Sequence, residues 1–159
     1  MSTPDLYETD FYGWTQKQAR LLRDGNWELL DINNLVEEIE SLGKQQRSEL
    51  VNRLSILLGH LLKWQYQNEG RSKSWFATIR EQRERIIEHI DENPSLKPYI
   101  SEAIAKGYRS GRNLAVGETP LNYQDLPDAC PYSIEQIIDT EFFPEESGQA
   151  ILSQHFWET

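Results

Sequence analysis

The sequence has a single cysteine, no long apolar run, and too few basic residues to balance its acids. One cysteine, Cys130 in "DACPY", cannot form an internal disulfide or a CxxC metal site, and a lone thiol suits a reducing compartment. No apolar stretch approaches the ~20 residues that a membrane-spanning helix requires. The opening "MSTPDLYETD" is acidic and lacks the apolar centre of a secretory signal, so the expectation is a cytoplasmic protein with no membrane association. The shortage of basic residues leaves a formal net charge of -10, which argues against nucleic acid as the default partner. Motifs of common chemistry are missing as well. There is no HExxH, no GxxxxGK[ST], no GxGxxG and no GxSxG, and neither His60 nor His89 has a glutamate three residues before it. His60, His89 and His155 share no metal-ligand spacing, so no metal or other cofactor is expected. Cys130 has no adjacent basic residue or helix start to activate it.

What is present reads as helix nearly throughout. With 159 residues and a hydrophobic share of 38%, the chain suits one domain with a real core. The spacing predicts a first helix from about Thr9 to Asp24, with Phe11, Trp14, Leu21 and Leu22 on one side and Gly25 as its stop. A second begins after Asp31, a good N-cap, and carries Ile32, Leu35, Val36, Ile39 and Leu42 at helical spacing. Gly43 either ends it or sits inside one longer helix. The third runs to about Gln67. The fourth, capped by Ser72 or Ser74, ends before Pro94, and the fifth, capped by Ser95, reaches about Gly117. "ETPLNYQDLPDACPY" then reads as a proline-bearing strap, and Ser133 with Gln136 forms a capping box for a short last helix. No strand-like alternation occurs. The fold expected is all-α: one helical domain over residues 1–145, about five main helices with segment 50–67 central, and a tail over 146–159. That tail ends in Phe156 and Trp157, so it is either docked or adhesive.

Two helices depart from a simple amphipathic pattern. In the third, Leu50, Val51, Leu54, Leu58, Leu61 and Leu62 form a core stripe, yet Ile56, His60 and Trp64 make a second ridge on nearly the opposite side. Such a helix is either central or half-covered by a partner. His60 reads as a core histidine bonded to a neighbour, and Lys63 as a buried stem with its ammonium in water. In the fourth, Arg83 falls inside the stripe of Phe76, Ile79, Ile86, Ile87 and Ile90. A buried guanidinium needs partners. Glu38 and Glu40 are the expected ones, and the alternative is that Arg83, helped by Arg80, binds an anion in a cleft. The small residues Ala103, Gly107 and Gly111 predict close packing against the fifth helix, with a tryptophan as a plausible occupant.

Charge is unevenly spread. Residues 1–43 carry 3 basic and 9 acidic side chains (-6), residues 44–90 carry 9 and 5 (+4), and residues 91–159 carry 4 and 12 (-8). The basic middle, with Lys63, Arg71, Lys73, Arg80, Arg83 and Arg85 beside Trp64, Tyr66 and Trp75, either is neutralised by folding or holds single-stranded nucleic acid.

The stretches "LYETDFYGWTQKQARLLRDG", "NLVEEIESLGKQQRSEL", "LLGHLLKWQYQ", "SKSWFATIREQRERI" and "CPYSIEQIID" together resemble a bacterial family, domain of unknown function family twenty-nine, over about Leu6 to Asp139. The resemblance implies a small, mostly helical protein and no reaction or ligand. Three functions are weighed on the residues. The leading one is a module that recognises another protein or associates with itself. The second is a nucleic-acid-associated regulator using the basic hairpin. The third is an enzyme with an unrecognised centre of His60 and carboxylates. The polar residues singled out are His60, Lys63, Trp64, Trp75, Arg80, Arg83, Glu38 and Glu40.

Overall fold

The structure is a computed structural model that describes residues 5–145. The Phe156–Trp157 end lies outside the described residues. Among the described residues there are six α-helices: α1 (Leu6–Thr9), α2 (Phe11–Arg23), α3 (Ile32–Tyr66), α4 (Lys73–Glu92), α5 (Ile100–Glu118) and α6 (Ile134–Ile138). The chain divides into two compact units, Met1–Gln45 and Gln46–Thr159, and α3 contributes to both.

In the first unit, the helix expected over about Thr9–Asp24 is present as α2 (Phe11–Arg23), and a short additional helix, α1 (Leu6–Thr9), precedes it and meets it at Asp10. The Asp5 carboxylate accepts from Tyr7 N and caps α1, while Asp10 accepts from Gly13 N at 3.0 Å and caps α2. Two cap residues five apart specify two starts, which the apolar spacing alone did not distinguish. Gly25 stops α2 with a φ of 74°, a left-handed conformation that favours glycine. The Trp14 indole donates to Asp31 Oδ2 at 3.0 Å, and Gln18 Oε1 accepts from Asp31 N at 2.9 Å. These bonds fasten α2 to the start of α3. Gly43 does not end a helix: α3 continues through it for 35 residues, and nothing would lie within 4 Å of a Cβ there.

In the second unit, Leu50, Leu54, Leu57, Leu58, Leu61 and Leu62 of α3 are all buried, with Ile79 and Ile86 of α4 and Ala103, Tyr108 and Ala115 of α5 around them. Segment 50–66 is central here, as its two-sided apolar pattern predicts. The approach of α5 is closest. A Cβ built at Gly111 would lie 2.9 Å from Gly59 N and 3.0 Å from Ser55 O, and one at Gly107 would lie 2.9 Å from Leu54 Cβ. The occupant of the small-residue stripe is therefore the backbone of α3 and not a tryptophan. Ser72 caps α4 by accepting from Trp75 N at 3.2 Å. Ser95 does not cap α5. Pro94–Tyr99 winds as a tight 3-10 segment, and α5 begins only at Ile100. Pro94 opens that segment, where a backbone donor is not needed, and Pro98 lies inside it just before α5 begins. The strap is held by Tyr108, whose hydroxyl donates to Pro127 O, and by Arg112, which donates to Tyr123 O at 2.9 Å. The Ser133–Gln136 capping box opens α6.

Candidate functional site

The polar residues of α3 converge with α4 and α5 at one end of the second unit. Lys63 is only 3% exposed, so its ammonium is buried along with its stem, contrary to the expectation that it stays wet. Its Nζ donates to Glu118 Oε2 at 2.6 Å and lies 4.6 Å from the centre of the Trp75 ring. A buried ammonium requires such company, and the ring face and carboxylate supply it. The same bond holds the Glu118 carboxyl below the usual carboxylate range. Gly70 lets the Trp75 ring lie against the α3–α4 turn: a Cβ there would come within 2.6 Å of Trp75 Cη2. His60 is half-buried and donates from Nδ1 to Ile56 O at 2.8 Å. Burial lowers its pKa; Lys63 acts in the same sense, while the Ile56 carbonyl and Glu118 act against it. An imidazole bonded to its own helix thus sits in a polar cluster with the Lys63–Glu118 pair, which is buried on its lysine side and open to water on its carboxylate side. Trp64 is 1% exposed and packs on Phe143 with ring centres 5.1 Å apart. Of the Ile56–His60–Trp64 ridge, Trp64 is thus covered from within the unit, whereas Ile56 and His60 are only partly buried.

Arg83 is fully buried. Its Nε donates to Ile137 O at 2.8 Å and its Nη2 to Gln136 O at 3.1 Å, with the Phe143 ring centre 5.3 Å away. The guanidinium caps the last carbonyls of α6, which a helix end leaves unpaired. This replaces the pairing with Glu38 or Glu40 that the sequence suggested. Glu38 instead accepts the Tyr7 hydroxyl's hydrogen bond, and Glu40 is exposed. Burial pushes the Arg83 pKa down to about 10, with Asp139 acting in the opposite sense. Arg80 does not join Arg83 in a cleft; it lies on the surface and pairs with Glu84 at 3.3 Å. Arg85 likewise pairs with Glu88, Arg53 with Glu49, and Arg71 donates to Trp64 O at 2.8 Å. The basic middle segment is largely engaged internally.

His89 and Glu118 were missed by the sequence reading. His89 is buried and donates from Nε2 to Gln46 O at 2.9 Å, with Nδ1 3.5 Å from Glu49. Glu118 is 55 residues from Lys63, and no local pattern signals that pairing. The second unit also holds an apolar cavity of about 340 Å³, lined by residues including Leu50, Leu54, Ile86, Ile104 and Ile137, with Asp91 and Lys97 as its charged residues. It lacks the several convergent polar groups that orient a small ligand. Cys130 is half-buried, and that burial raises its thiol pKa, which keeps it in the thiol form.

The first unit is the opposite case. Ile32, Val36, Ile39 and Leu42, expected in the core, are exposed by 57%, 48%, 65% and 58%. The α1–α2 segment binds the neighbouring, polar flank of α3 through Asp31 and Glu38 and leaves this stripe bare. Trp27 and Leu29 at the preceding turn are also exposed. No helix among the described residues is long and apolar enough to cross a membrane.

Among the described residues the fold is all-α, with a polar cluster around Lys63 in one unit and an open apolar stripe in the other. The chain belongs to the family described as Domain of unknown function DUF29, whose model matches residues 6–143. No curated protein and no solved structure matches it.

Proposed function

We propose that this chain is a non-catalytic protein-binding module of a bacterial cytoplasm. The observation that carries the reading is the uncovered stripe of Ile32, Val36, Ile39 and Leu42 on α3. Large exposed apolar patches on soluble proteins mark interaction sites, and a helix face of this kind fits another helical surface. The burial of Lys63 and Arg83 supports protein over nucleic acid as the partner, because phosphate contact needs accessible cations. The bacterial setting rests on the family resemblance, and the half-buried lone thiol is compatible with a reducing compartment.

The test is a photo-crosslinking side chain placed at Ile39 of the full chain in cells, with one at the exposed Glu84 as control. A discrete protein adduct at Ile39 and none at Glu84 is the expected result. Absence of any protein adduct at Ile39, or equal labelling at both positions, would refute the reading.

A further inference from the structure

The exposed residues of the first unit form a pattern. Counting in sevens, Ile32 and Ile39 take the a positions of α3, and Leu35 and Leu42 take the d positions, the arrangement of a helix-bundle seam. At 3.6 residues per turn, this stripe lies roughly a quarter-turn from the flank, marked by Asp31 and Glu38, that holds α1 and α2. On α2, Trp14 and Gln18 face α3, and Phe11 and Leu22 lie beside them, exposed by 48% and 44%. Because α2 and α3 run antiparallel and both are right-handed, those two side chains turn to the same side of the hairpin as the α3 stripe. The hairpin therefore presents one two-helix apolar face made of Phe11, Leu22, Ile32, Val36, Ile39 and Leu42. No charged side chain interrupts it.

A two-helix face of this kind is half of a four-helix bundle. We infer that its occupant is the same hairpin of a second copy of this chain, related by a two-fold axis; this deepens the docking reading above and rests on it. The area fits. The six side chains leave on the order of 600 Å² in water, and Trp27 and Leu29 at the turn extend this toward the ~800 Å² per partner of a stable interface. A two-fold pairing matches each apolar side chain to the same face in the partner, so the surface is complementary to itself. The charges permit it as well. Between its ends α2 carries Lys17, Arg20 and Arg23 with no acid, whereas α3 up to Gln45 carries Glu37, Glu38 and Glu40 with one lysine. Two such hairpins bring a basic and an acidic helix each and do not oppose a single sign of charge.

Sedimentation velocity of the full chain, from micromolar to hundreds of micromolar, tests this. The wild type is expected to pass from monomer to dimer. Ile39→Glu and, as a second variant, Val36→Glu are expected to stay monomeric with unchanged helical circular dichroism. Ile87→Glu, at an exposed apolar residue of the other unit, is expected to dimerise like the wild type. A wild type that is monomeric throughout, or a dimer that survives both α3 substitutions, overturns the proposal. Such a monomer that still crosslinks from Ile39 to a different protein removes self-association and leaves the docking reading standing. A monomer with no adduct removes both.

Discussion

In Gln46–Thr159, α3 is surrounded: six of its leucines are at most 2% exposed, and even its lysine is sealed. In Met1–Gln45, the same helix type with the same residue classes buries Trp14 and Gln18 and leaves Ile32, Val36, Ile39 and Leu42 in water. The difference lies in how many elements are available. The second unit can bring α4, α5 and α6 to α3, and glycines let α5 touch its backbone. The first unit has one short and one medium helix, which spend their contacts on hydrogen bonds to the polar flank of α3. A segment of about 40 residues rarely closes a core alone and commonly obtains one from a partner.

The comparison can be broken most severely at the α3–α5 crossing. Gly111→Val forces new carbon atoms against backbone atoms of Gly59 and Ser55, which cannot swing aside. It is expected to cost about 3 kcal/mol, read as a lowered urea midpoint. Next comes Arg83→Met. It leaves the Ile137 and Gln136 carbonyls without their donor, and about 2 kcal/mol of destabilisation is expected even though a buried charge is removed as well. Unchanged unfolding of that variant would show that α6 does not need its cap.

Gly43→Ala sharpens the contrast from the other side. Gly43 lies mid-helix with open space around its Cα, so alanine is expected to stabilise by about 0.5–1 kcal/mol. A loss instead would mean that something covers that position. The smallest effect concerns His60. Its folded pKa lies below the unfolded value of 6.5, so its neutral burial favours folding above that pH. That contribution is lost as pH falls from about 6.5 through the lowered folded value, because the unfolded chain takes up the proton first. His60→Gln is expected to flatten this part of the stability–pH curve, and an unaltered curve would place the acid sensitivity elsewhere.

The helical fold and the central place of segment 50–66 were legible because apolar residues at Leu50, Leu54, Leu57, Leu61 and Trp64 cover most of that helix's circumference. Capping was legible where a side chain three residues ahead completes it, as at Ser133 and Gln136. Arg83's partners were not, because they are backbone carbonyls, which every residue carries and no residue type advertises. The Lys63–Glu118 pair was hidden by its long separation. Most instructive is the Ile32–Leu42 stripe. Its periodicity predicts a face that avoids water, and periodicity does not state whether the cover comes from the same chain.

Amide hydrogen exchange along α3, followed from low to high protein concentration, tests that point most directly. In the dilute chain, Ile32–Gln45 is expected to exchange faster than Leu50–Tyr66, and only the first segment should gain protection as concentration rises. Equal, slow exchange of both segments at every concentration would contradict the account, since the stripe would then already be covered within a single chain.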